Sequence, residues 1–210
     1  MKNSIFYGLL ITAGSINLIS AGRKFPETFV HSDTVKIKET FNKNDTEDNA
    51  SLENRLKPIR SNFKRINSIK KWTIIEKRDV EGESAEGGEA VFYEQKGKLE
   101  KITARLYGEM GQIFIEYYLL DGKLSFVFEK NYHYNRPLYY NEKAMKENND
   151  TEAFDFKKSK ITENRNYFEK GNLIHIINTE GRGISFSSEY ISEEQKRISE
   201  LYEKLLKLRG

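Results

Sequence analysis

Asp121-Gly122 lies between two runs of alternating apolar and polar side chains, and this arrangement restricts the chain more than any other. Upstream, Ile113, Ile115, Tyr117 and Leu119 recur with a period of two; downstream, Leu124, Phe126 and Phe128 do the same. An Asp-Gly pair between two such runs marks a two-residue hairpin, so the flanking strands are antiparallel and adjacent. Ile102, Ala104 and Leu106 alternate with Lys101, Thr103 and Arg105, giving another half-buried strand, and Gly97 and Gly108–Gly111 supply the breaks. Trp72, Ile74 and Ile75 open a strand that runs to Val80. The Gly- and Glu-rich segment Glu81–Glu89 turns it, and Val91, Phe92 and Tyr93 begin the next. Further strands are predicted over 161–169 and 172–178 around a turn at Glu169–Asn172. Gly97-Lys98-Leu99, Gly122-Lys123-Leu124 and Gly171-Asn172-Leu173 each put Gly-x-Leu at the start of a strand. Their unequal spacing makes this recurring hairpin chemistry, not a solenoid period.

Both ends of this pattern change period. Leu52, Leu56, Ile59, Phe63 and Ile66 are spaced four, three, four and three apart, one face of an amphipathic helix. Pro58 cannot donate the backbone hydrogen bond that a helix interior demands, which predicts a helix over 58–69 with a turn before it. Ile191, Ile198, Leu201, Tyr202, Leu205 and Leu208 form a second amphipathic face. Ser192 followed by Gln195 has the spacing of a capping box, which starts that helix at Ser192. Residues Asn141–Asp155 interrupt the sheet with a polar, partly helical insertion. The predicted fold is α+β: an antiparallel β-meander of about seven strands with an N-terminal and a C-terminal amphipathic helix.

The first 22 residues stand apart. One positive charge at Lys2, an apolar run from Ile5 to Gly14 and the ending Ser20-Ala21-Gly22 are the three parts of a secretory signal peptide, cut before Arg23. Ser15 and Asn17 interrupt the run, which is too short for a spanning helix of about 20 apolar residues. With no cysteine the chain has neither disulfides nor the lipid-bearing residue of a bacterial lipoprotein. Residues 23–49 read as a flexible polar arm, and 50–210 as a single α+β domain. The expected location is periplasmic or secreted, with no stable membrane span after the signal is removed. Without residues 1–22 the chain holds 34 basic and 32 acidic residues, a balance that gives no footprint for nucleic acid.

Asn131–Tyr140 (NYHYNRPLYY) is the most unusual segment, with four tyrosines, a histidine, an arginine and a proline. Tyr and Arg favour recognition surfaces, which makes Tyr132, His133, Tyr134, Arg136, Tyr139 and Tyr140 a candidate binding lip. The competing reading is a strand leaving the sheet, with Tyr132 and Tyr134 on one face, His133 on the other and Arg136-Pro137 as the exit turn. His31, His133 and His175 lie too far apart for a close metal-ligand motif, so no metal and no cofactor are expected. The carboxylates of Glu81–Glu89 lack the ligand pattern of a calcium loop and read as a solvated turn. No nucleophile elbow, zinc-binding His-Glu-x-x-His, phosphate loop or dinucleotide fingerprint is present, and no catalytic residue is assigned.

The segments Glu86-Gly87-Gly88-Glu89, Arg105-Leu106-Tyr107-Gly108-Glu109 and Phe126–Tyr140 resemble those of small bacterial exported proteins with no assigned activity, over about Trp72 to Ile177. That resemblance implies an exported bacterial protein and nothing catalytic. The expected function is a non-enzymatic binding or interaction module of the bacterial envelope, its partner an envelope protein or a glycan. The alternative is a glycan- or peptide-directed hydrolase using a carboxylate pair such as Glu109 and Glu129. A third reading adds an edge strand to a partner protein. N-terminal sequencing of the exported form is expected to begin at or near Arg23; a mature chain still starting at Met1 would remove the signal assignment.

Overall fold

The computed structural model of the chain describes residues 46–179 and 187–209. The expected signal segment, residues 23–45 of the expected arm and His31 lie outside the described residues. Helix α1 (Thr46–Asn67) precedes seven strands: β1 (Ile74–Val80), β2 (Gly88–Gln95), β3 (Lys98–Gly108), β4 (Gly111–Leu120), β5 (Lys123–His133), β6 (Lys160–Glu169) and β7 (Asn172–Ile177). A short helix α2 (Glu142–Glu147) and a single 3-10 turn (Phe156–Lys158) sit between β5 and β6, and α3 (Ser188–Leu208) follows β7. The strands form one sheet in sequence order, every neighbouring pair antiparallel. This is the predicted meander.

The three Gly-x-Leu segments prove to be three copies of one device. Lys96-Gly97, Asp121-Gly122 and Lys170-Gly171 all have positive φ at both positions, as a type I′ hairpin turn requires. Directly after each leucine the register slips by one residue. Glu100, Ser125 and Ile174 are the extra residues of three β-bulges. In a meander these turns all lie at one end of the sheet, the hairpin end.

The sheet is covered on both faces. Successive strand residues point to opposite sides, and the neighbours Tyr117 and Tyr118 show where each leads. The Tyr117 ring lies 5.6 Å from Tyr202 of α3, whereas Tyr118 lies 4.9 Å from Phe63 of α1. On the α3 side Phe92, Ile102, Ala104, Ile115 and Val127 pack with Ile198 and Leu205. On the α1 side Leu56, Ile59 and Ile66 are buried, and Phe63 meets Phe126 edge-on at 5.3 Å.

Two helix boundaries differ from expectation. Helix α1 runs through Pro58 and takes in residues 46–49, which the sequence placed in the arm. Pro58 and Asn54, whose carbonyl loses its partner, are both exposed, so that carbonyl is not buried without a donor. A proline inside a helix costs about 3 kcal/mol. Burying Leu56 and Ile59 on either side of it returns roughly 1.5–3 kcal/mol each, so the apolar seam decides. Helix α3 starts one turn earlier than Ser192, with Ser187 as its cap accepting from the Tyr190 N–H at 3.2 Å. Gln195 is not part of a capping box. Its side-chain oxygen accepts from the Leu173 N–H at 2.8 Å, satisfying a β7 donor beside the third bulge.

Helix α1 is fixed to the bulges by polar contacts. Asn62 is buried and donates to the Leu119 carbonyl (2.8 Å) and to the Ser125 hydroxyl (3.2 Å), which itself donates to the Tyr118 carbonyl (2.9 Å). The Asn62 side-chain oxygen accepts from Arg65, which also forks onto the carboxylate of Glu100 at 2.5 and 3.2 Å. Arg55 reaches Glu169 beside the third turn at 2.8 Å. Asn62→Ala leaves the Leu119 carbonyl buried without this donor and is expected to cost about 1–3 kcal/mol. Urea denaturation should show the midpoint fall by that amount at an unchanged slope.

Candidate functional site

Opposite the hairpin end, the β1–β2 and β3–β4 connections and the long β5–β6 connection come together. The β3–β4 turn is narrow because Gly108 pairs with Gly111 and only Glu109-Met110 lies between them. Gly111 is required there: a Cβ would run into the carbonyl oxygen of Tyr132 on β5. The tyrosine-rich segment is then fastened to this turn through its backbone. The Tyr134 N–H donates to the Met110 carbonyl and the Leu138 N–H to the Glu109 carbonyl, both at 2.9 Å.

The insertion after it holds the segment from the other side. Asn135 donates to the Ala153 carbonyl (3.0 Å) and accepts from the Asp155 N–H (2.9 Å), standing in for a strand partner. The Arg136 guanidinium pairs with Asp150 at 2.9 Å, and the Tyr140 hydroxyl donates to the same carboxylate at 3.3 Å. Tyr132 stacks on Phe156 with ring centres 5.5 Å apart, and Tyr134 meets Phe154 edge-on at 5.1 Å.

The six candidate residues therefore divide. Tyr132 is buried, and Tyr134, Arg136 and Tyr140 are half-buried and tied to the insertion. Their contacts to the insertion are rings, an ion pair and hydrogen bonds. His133 is exposed on the opposite face from Tyr132. Tyr139 is 66% exposed, the most open large apolar side chain among those described. Its hydroxyl bonds to Glu109, which also raises its pKa. Met110 (51% exposed) and Leu138 (38% exposed) complete an apolar lip. Sequence reasoning missed Met110 and Leu138. The available signal was a long apolar side chain at the tip of a two-residue turn, and a leucine directly after the exit proline.

Glu109 and Glu129 are not brought together. Glu129 is buried opposite Ile115 in the register and pairs with Arg197 of α3 at 2.7 Å. Glu109 lies in the turn beyond Gly111, four strand residues further along, about 13 Å at 3.3 Å per residue. Paired glycosidase carboxylates stand roughly 5–9.5 Å apart. In the Glu81–Glu89 turn, Glu83 pairs with Lys204 at 2.8 Å and Glu89 with Lys77 at 2.5 Å, so both are engaged in ion pairs. His175 stands beside Tyr167 on the sheet, its ring centre 5.7 Å away. Among the described residues no group of three or more metal-ligating side chains is assembled, and no helix is long and apolar enough to cross a membrane. The β1 edge carries Glu76, Lys77, Arg78 and Asp79 in succession, a charged run that opposes strand addition there.

What the lip offers chemically is recognition: a tyrosine ring face, two aliphatic contacts and one carboxylate. The chain matches no family model, and no curated protein and no solved structure is significantly similar to it.

The support under the lip is expected to depend on pH. The Asp150 carboxyl is held below its ordinary range, first by the Thr151 backbone N–H and then by Arg136 and Tyr140. A depressed carboxyl contributes stability above the unfolded value of about 4, lost as pH falls through the lower folded value. Amide protection over residues 135–155, corrected for the intrinsic exchange rate at each pH, is expected to fall below about pH 4. Asp150→Asn should flatten that pH dependence, and an unchanged profile would show that Asp150 is not the titrating support.

Proposed function

We propose that the protein is an exported bacterial envelope protein that acts by binding, not by catalysis, and that its contact surface is the lip of Met110, Leu138 and Tyr139. The observation that carries the reading is the contrast within one short segment. The Tyr139 ring is left open, with only its hydroxyl bonded to Glu109, while Tyr134, Arg136 and Tyr140 on either side of it are covered or tied by rings, an ion pair and hydrogen bonds. An exposed aromatic on a pinned backbone loses little conformational entropy on binding, which is the usual condition of an interface anchor. The N-terminal signal pattern and the resemblance to exported bacterial proteins support the location. The partner is an envelope protein, with a glycan as the alternative that the same ring face would serve.

The test uses immobilised protein beginning at Arg23 against solubilised envelope and against a glycan array, in parallel with Tyr139→Ala and Met110→Ser. Both positions are exposed, so folding should be unaffected. An anchor of this kind is worth about 2 kcal/mol or more, so each variant should weaken capture of the same partner about tenfold or beyond. Capture equal to wild type by both variants would reject the lip.

A further inference from the structure

The hairpin end of the sheet gathers charges that the sequence disperses over about 100 residues. Lys96 and Lys98 flank the first tight turn, Lys123 follows the second and Lys170 opens the third. Lys70 and Lys71, between α1 and β1, arrive at the same end. Thr73 anchors that link by donating its N–H to the Glu94 carbonyl at 3.0 Å and accepting from the Lys96 N–H at 3.1 Å. All six lysines are exposed, and none has an ion-pair partner among the described residues. With Arg55 and Arg65, which pin α1 here, the end carries eight cations against the three carboxylates of Glu100, Asp121 and Glu169. Its formal charge is +5, in a chain whose whole formal charge is +3. The three connections at the lip end (81–87, 109–110 and 134–159) hold nine carboxylates against five cations, a formal −4. The molecule is therefore electrically polar along its strands.

Apolar side chains border the lysines. Ile74 is 48% exposed and Ile75 60% exposed at the start of β1, and half-buried Trp72 beside them packs on Tyr93 at 5.3 Å. Lysines fringed by aliphatic side chains and an indole have the chemistry of a surface that lies on a bilayer: cations at the headgroups, apolar groups at the acyl boundary. We infer that the hairpin end is a peripheral docking surface for a membrane rich in anionic phospholipid. This surface is distinct from the lip and lies at the other end of the sheet. The 11-residue strands set the two ends about 35 Å apart, so the docked protein presents its lip away from the bilayer. A nucleic acid would answer to the lysines but leave Ile74 and Ile75 without a role.

The test is flotation of the exported chain with vesicles of phosphatidylglycerol mixed with phosphatidylcholine, against vesicles of phosphatidylcholine alone. Binding is expected only to the anionic vesicles and should weaken as salt is raised. At about fivefold per lysine, the combined variant Lys96→Gln, Lys123→Gln, Lys170→Gln should bind about 100-fold more weakly. Ile75→Ser should also reduce binding, and Tyr139→Ala should leave it unchanged. The substituted lysines are exposed in the turns or directly beside them, so circular dichroism should match wild type. Equal binding to both vesicle types, binding to neither, an unaffected lysine variant, or preference for a DNA duplex over the anionic vesicles would each overturn the inference. Because the two surfaces are at opposite ends, failure here leaves capture by the lip intact, and the reverse also holds.

Discussion

One buried amide sets the relation between α1 and the sheet. Asn62 donates to a carbonyl of β4 and to the bulged Ser125 of β5, and its oxygen passes the connection through Arg65 to the bulged Glu100 of β3. Apolar packing alone would let a helix slide along the rings of Tyr118, Phe126 and Tyr167, since dispersion and burial have little directionality. The hydrogen-bond relay has direction. It fixes α1 crosswise over the hairpin ends and makes the bulges useful, because a bulge exposes backbone groups that a regular ladder would consume. Asn62 therefore couples local strand irregularity to tertiary placement.

Much of this fold was legible because its turns are chemically narrow. A two-residue hairpin needs positive φ at both positions, and Asp121-Gly122 states that requirement in the sequence. The seam from Leu56 to Ile66 was equally plain. Its N-terminal extent was not, because Pro58 carries a strong local penalty that only tertiary burial outweighs. The start of α3 was obscured for a similar reason. Ser192 and Gln195 have the spacing of a capping box, yet Gln195 serves an amide of β7, a fact of the folded sheet, and Ser187 caps the helix. The bulges at Glu100, Ser125 and Ile174 depend on register across strands. Periodicity within a strand does not contain that information.

The tyrosine-rich segment shows the same division within a few residues. Alternation correctly separated His133 from Tyr132 and Tyr134. Which rings are covered depends on Phe154 and Phe156, which return from about 20 positions downstream, and on Asp150, which pairs with Arg136. Composition could mark the segment as unusual. It could not divide it into supporting and presented side chains.

The meander has a consequence for the order of events as the chain folds. Each strand pairs with its immediate predecessor, so most of the sheet can form through short-range hairpin closures, the kind that proceed quickly. Helix α1 is the exception. It precedes every strand, yet its partners Glu100, Ser125 and Glu169 are spread from β3 to β6. The earliest of the described elements is thus the one whose docking site is complete only once β6 has joined the sheet.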